Sequence, residues 1–365
     1  MMSSKSSSST SSSSFIASAK EDGESAAHRV GVAYCESFAL HASPRKGHEE
    51  RPARLDAIVR KLHSLGLWER ASRIPVRDAS DDELMSIHTK GYVRKLARIE
   101  RQCKDATSAE DKDAVSALCE KFTLDHEDVY LNGHSGFCIF NNVALAAKHA
   151  VDTLGLARVL VVDWDVHHGN GTQHAFYKDP RVMYFSVHRF DFGRYYPSLE
   201  SAGPMSVGCG LAAGTNVNVA WNGHGIGDAE YLMAWENVLM PIAREFRPEM
   251  VIVSAGFDAA EGDRMGRCKV SPQGFAAMTR ELQSLAQGRM LLVLEGGYEL
   301  SSLSDSFAAC AHELFGCTSE QDHEARVSRI RSSFARPEAV KAVEASVRAQ
   351  KPYWSSLASV GRTLS

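Results

Sequence analysis

Six short apolar runs punctuate the chain, at 30–34, 159–162, 182–187, 217–219, 250–254 and 290–294, and each predicts a strand. Between them, apolar positions recur at helical spacing. Over 228–246 the residues Tyr231, Leu232, Trp235, Val238, Leu239 and Ile242 form one stripe, which predicts a helix capped by Asp228. Pro241 lacks an N–H and is expected to kink that helix or open its ladder. A further helix is expected over 142–153. Strands alternating with helices predict an α/β fold, with a mainly parallel sheet wrapped by helices. The pattern begins only near residue 28. Residues 1–27 are serine-rich, with Phe15 and Ile16 nearly their only large apolar groups, and are expected to be a disordered tail. Its early part is poor in acidic residues, which leaves an organellar transit peptide open, although it lacks arginine. No repeat or linker interrupts 28–318. Residues 319–365 read as a helical and loop extension, with Tyr353 and Trp354 as an aromatic clasp onto the body.

Composition narrows the class. With 365 residues, 44% hydrophobic and 24% charged, the chain suits one large α/β domain or two smaller ones. A net charge of −4 gives no general attraction to nucleic acid or anionic membranes. No apolar run is long enough to span a bilayer. The eight cysteines are scattered without a CxxC pair, which argues against a disulfide framework or a thiolate zinc cluster and fits a reducing compartment.

Chemistry concentrates at strand ends. The run at 159–162 leads into Asp163, Asp165 and His167, which alternate and so project to one side of an extended chain, with Trp164, Val166 and His168 on the other. The run at 250–254 leads into Ala255-Gly-Phe-Asp258, and the run at 290–294 into Glu295-Gly-Gly-Tyr298. Ligands of open α/β sheets gather beyond the carboxyl ends of the strands, so these three ends are expected to share a cleft. They offer an Asp/His/Asp set suited to a divalent metal with an open position for water or a carbonyl oxygen. The Tyr298 hydroxyl is placed to stabilise an oxyanion there.

These motifs carry a resemblance. Asp163-Trp-Asp-Val-His-His-Gly-Asn-Gly-Thr-Gln173, Ser254-Ala-Gly-Phe-Asp-Ala-Ala260 and Leu294-Glu-Gly-Gly-Tyr298 are similar to zinc-dependent histone deacetylases of class II, closest to the class IIb tubulin-deacetylase type. His48-Glu-Glu-Arg-Pro-Ala-Arg54 and Gly136-Phe-Cys-Ile-Phe-Asn-Asn142 extend the similarity over roughly 28–318. The resemblance implies an arginase-like fold with a parallel sheet of about eight strands. It implies hydrolysis of acetyl-lysine on histone tails, tubulin or similar proteins, in cytoplasm and nucleus. Asp165, His167 and Asp258 match the zinc ligands, and Tyr298 the transition-state tyrosine. Phe137 and Tyr196 match the aromatic walls around the acetyl-lysine stem, Met265 the gatekeeper position, and Gly296 a substrate-contacting position. Asp163 and Ser186 match a structural potassium site.

One family segment is missing. Class II deacetylases carry a helix, a strand and Arg-Pro-Pro-Gly-His-His before the Gly-Phe-Cys segment, whereas here Asp128-Val-Tyr-Leu-Asn-Gly133 runs almost directly into His134-Ser-Gly-Phe-Cys138. The histidine pair that takes the proton from the attacking water is lost, with one strand and one helix. Asp163 and Asn170 remain without the imidazoles they would orient. The alternatives are an impaired deacetylase, a zinc-binding module without turnover, or an acetylpolyamine deacetylase. Met265, where the polyamine branch has a glutamate, favours acetyl-lysine.

Overall fold

The computed structural model describes residues 30–40, 47–105, 136–358 and 360. The expected tail at 1–27, and His134 at the expected deletion, lie outside these residues. At the centre is a five-stranded parallel sheet built from β3 (Val159–Asp163), β4 (Val182–Arg189), β5 (Asn216–Trp221), β6 (Met250–Ala255) and β7 (Met290–Leu294). Its order is β5-β4-β3-β6-β7. Every residue of β3 is buried, as a continuous apolar run demands when helices cover both faces of a sheet. Asp163 pairs with Ser186 of β4 and Ser254 of β6, so β3 and β6 end nearly level where the site begins, while β4 runs on to Arg189.

One face of the sheet carries the larger core. Trp164 there meets Trp235, Phe257 and Phe275 edge-on or tilted, with ring centroids 5.8–6.4 Å apart. The helices α1 (Ala53–Ser64), α9 (Pro272–Gln283) and α10 (Leu300–Leu314) contribute to it. On the opposite face, α5 (Asn142–Asp152) lays Val143, Ala147 and Val151 against Val159, Val161 and Ile252. Asn141 caps α5, its Oδ1 accepting from Ala144 N at 2.8 Å.

The long helix begins at Asp228, but its cap is Gly227. Asp228 is instead spent on the next loop, accepting from Ser271 N at 2.7 Å and Ser271 Oγ at 2.6 Å. α7 (Asp228–Ala234) passes through a π-helical segment, Trp235–Leu239, into α8 (Met240–Phe246), with Pro241 in its first turn. The ladder thus opens where proline withholds an N–H.

The two sheet edges differ. β5 is covered by α12 (Pro337–Gln350), whose Gln350 donates to Asn216 O at 2.6 Å, and Trp354 donates to Gly214 O at 2.8 Å. Ala339, Val343, Val347 and Leu357 join the main core, so the stretch after 318 packs as part of the body. β7, an uninterrupted apolar strand of the kind found inside parallel sheets, pairs only with β6 among the described residues. Leu291 on it is 39% exposed. β1 (Gly31–Ala33) pairs with β2 (Ser72–Ile74) in a separate two-stranded sheet. The sequence pattern did not mark β2, a three-residue exposed strand with no apolar run of its own. Among the described residues no helix is long and apolar enough to cross a membrane.

Candidate metal centre

Asp165 and His167 leave the end of β3, and Asp258 follows β6, so adjacent level strands deliver all three. His167 Nδ1 is 3.1 Å from Asp165 Oδ1 and 3.0 Å from Asp258 Oδ2. One donor atom from each residue lies within 4.8 Å of the others. The strand stops at Asp163, whose carboxylate turns back to accept from Tyr184 Oη at 2.8 Å and Asp165 N at 3.1 Å. His168 faces away as parity requires, buried with Nε2 3.0 Å from Gln173 Oε1.

Backbone amides hold the carboxylates in place. Gly296 N donates to Asp165 Oδ2 at 3.0 Å, and Val166 N to Asp258 Oδ1 at 2.8 Å. The glycines are steric requirements here. A Cβ on Gly256 would lie 2.1 Å from Asp165 Oδ2, and one on Gly296 would lie 2.4 Å from Asp258 Oδ2. Burial opposes a charge on His167, yet its hydrogen bonds to Asp165 and Asp258 hold its pKa well above the usual histidine value. Burial and the neighbouring Asp165 push Asp258 up to about 6. In the metal-free chain an imidazolium proton therefore neutralises the carboxylate pair, and a divalent cation would displace it. One nitrogen and two carboxylates converging in this way fit zinc with a position left open.

The surrounding residues enclose this point. Tyr298 is buried, its N–H donating to Asp263 Oδ2 at 2.7 Å, and burial followed by Asp258 raises its pKa, so its hydroxyl stays protonated. Phe137 stands edge-on to Tyr298 with ring centroids 6.0 Å apart, and Tyr196 edge-on to His167 at 5.9 Å. The two walls are tied together, since Gly136 N donates to Tyr196 Oη at 2.9 Å. Phe137 holds a left-handed φ of 68°, a strained conformation typical of functional loops. Met265 N donates to Asp263 Oδ1 at 2.8 Å. Ser186 Oγ lies 2.8 Å from His188 Nδ1, and Asn170 opens α6 (Asn170–Phe176).

Three residues that shape the site carried no role in the sequence reading. Arg54 donates from Nε to Gly297 O at 2.5 Å, bonds Glu295 O and Glu50, and so staples the loop that presents Tyr298. Its place in the His48–Arg54 motif was the available signal. Asp263 accepts amides from both the Met265 and Tyr298 loops. Tyr195 stacks on His167 at 5.2 Å.

Glu295 gives a pH prediction for the metal-free protein. Burial, then the Asp165 charge, pushes its pKa from 4.5 up to about 8. Between those values the folded chain binds more protons than the unfolded one, so this group's contribution to stability falls as pH rises through that window. Denaturant unfolding of metal-free wild type and Glu295→Gln at about pH 5 and about pH 8.5 is expected to show the variant gaining relative stability at the higher pH.

An α/β body with a buried Asp/His/Asp point and a tyrosine beside it defines a metal-site protein of the arginase-like deacetylase type. The comparisons agree. The histone deacetylase domain model matches residues 48–135 and 131–314, and the chain belongs to the histone deacetylase family. It is 39% identical over 332 residues to histone deacetylase 5 of Arabidopsis thaliana, covering 80% of this chain and 50% of that protein. It is 38% identical over 339 residues to the human polyamine deacetylase HDAC10, covering 84% of this chain and 50% of that protein. The chain spans about half the length of these curated relatives. A crystal structure of the HDA15 HD domain superposes with a TM-score of 0.75 at 33% identity, over 91% of this chain and 97% of that one.

Proposed function

We propose that this chain is a zinc-dependent protein lysine deacetylase of the class IIb type whose acid–base step is impaired. The observation that carries it is the convergence of Asp165, His167 and Asp258 beside Tyr298. Zinc, when bound, supplies Lewis acidity to the acetyl carbonyl and the attacking water. Phe137 and Tyr196, 42% and 43% exposed, provide apolar faces for the lysine methylenes. The Tyr298 hydroxyl donates to the carbonyl oxygen as charge develops on it. Met265 brings no carboxylate for a cationic amine, which favours acetyl-lysine of histones, tubulin or similar proteins over acetylpolyamines. Buried Asp163, paired with no basic side chain among the described residues, suits a structural potassium ion together with Ser186. Scattered free cysteines suit the cytoplasm and nucleus.

The impairment rests on the missing histidine pair. The family model matches in two stretches that meet at 131–135, and β7, with an interior strand's sequence, pairs only with β6 among the described residues. His168, held by Gln173 behind the site, is no substitute. These observations also favour a second reading, a module that binds acetyl-lysine without hydrolysing it. Purified protein with stoichiometric zinc is expected to turn over an acetyl-lysine peptide slowly, yet above a Tyr298→Phe control. Hydroxamate affinity without turnover selects the binding module, and absence of both sinks the two readings together. Preference for acetylspermidine over the peptide would reassign the substrate.

A further inference from the structure

Tyr195 precedes the aromatic wall and belongs to none of the motifs. Its ring lies nearly parallel to that of His167, at an interplanar angle of 10° and a centroid distance of 5.2 Å. Its Oη is 3.3 Å from His167 Nε2 and 2.7 Å from Met265 O. A backbone carbonyl only accepts, so the tyrosine proton goes to Met265 O. The Tyr195 oxygen is left as an acceptor, and His167 Nε2–H is the donor that reaches it. Nδ1, the atom that faces Asp165 and Asp258, is then the nitrogen whose proton a cation would displace. The far face of Tyr195 is also held. The Arg189 guanidinium lies 4.5 Å from its ring centroid, pairs with Asp191 at 2.7 Å and donates to Gly266 O at 3.3 Å.

We infer that Tyr195 is a positioning residue for the metal: its hydroxyl fixes the tautomer and ring plane of His167 and ties that ligand to the Met265 loop at the rim. The physical reason is general. An imidazole ligand must present one chosen nitrogen, and a partner that holds the proton of the other nitrogen determines which one is given up to the metal. A phenylalanine here would keep the stacked ring and lose the selection. The inference rests on the metal site of the proposed function, but it concerns how tightly and through which atom the ion is held.

The test is zinc affinity by competition with a chromophoric chelator, for wild type, Tyr195→Phe and Asp258→Asn. Tyr195→Phe is expected to weaken zinc by about tenfold, the lower end for loss of an imidazole's outer partner. The absorption bands of the cobalt-substituted protein are expected to shift as well. The metal-free variant should unfold at nearly the wild-type denaturant concentration. Unchanged affinity and unchanged cobalt bands in Tyr195→Phe, beside a large loss in Asp258→Asn, overturn the role of Tyr195 while leaving the metal site standing. Absence of zinc binding by wild type overturns both. Nitrogen NMR of histidine-labelled, zinc-loaded wild type gives an answer independent of any variant. A protonated Nε2 on His167 is expected, and a protonated Nδ1 with metal on Nε2 overturns the inference.

Discussion

Asp258→Asn protein is expected to bind zinc more than about a hundredfold more weakly than wild type, beyond the upper end for loss of an outer partner. Asp258 is fully buried, and its Oδ1 accepts from Val166 N while Oδ2 faces His167. Asparagine nearly matches the volume and keeps an acceptor for Val166, so the backbone between β3 and the metal has no reason to move. What is lost is one of three donors and one of the two charges that draw a cation here. The same change relieves the metal-free chain. Burial and Asp165 already press the Asp258 pKa upward, so ionising it there carries a cost. Asp258 is also a partner of the charged His167, so the relief and the lost contact offset, and metal-free Asp258→Asn is expected to unfold close to metal-free wild type. Falling zinc affinity without falling metal-free stability separates a ligand from a structural carboxylate. Equal zinc affinity in the two proteins would remove Asp258 from the centre.

How much of this was legible in the sequence depended on scale. All six apolar runs are strands; β3, β4, β5 and β6 are buried almost throughout, and a strand covered on both faces must be apolar and so announces itself. The convergence of Asp165, His167 and Asp258 was legible because parallel strands deliver their carboxyl ends to one edge. Asp163 closes the first of these strands. Strand periodicity holds only while the chain is extended, and it ends at that residue. The cap at Asp228 failed for a tertiary reason, since Ser271, 43 residues away, claims its carboxylate. Arg54, Asp263 and Tyr195 act through contacts to backbone carbonyls and amides of distant loops. Residue-type patterns do not record such partners. At Gly296 the close approach of two carboxylates leaves no room for a Cβ, a packing constraint that the sequence alone does not display.

On the proposed reading, inserting the family's histidine-bearing segment between Gly133 and Gly136 is expected to raise turnover of an acetyl-lysine peptide by about 10²–10⁴-fold, the usual worth of positioned acid–base groups. The metal donors, the Tyr298 hydroxyl and both aromatic walls are already arranged among the described residues, so on that reading proton transfer is the step the insertion would supply. The insertion carries two things, a strand and a histidine pair, and their effects separate. A strand added beside β7 should bury Leu291 and slow hydrogen exchange along β7, because edge amides open at lower cost than paired ones. The same insertion with both histidines changed to alanine should protect β7 equally and leave turnover near the level of the present chain. If the alanine version recovers the rate as fully as the histidine version, the defect lies in an unsupported sheet edge and not in proton transfer. If neither slows exchange on β7, the open edge is not where the family strand belongs. The expected result, protection from both insertions and rate from only one, places the fold's deficit at β7 and the chemistry's deficit at the imidazoles.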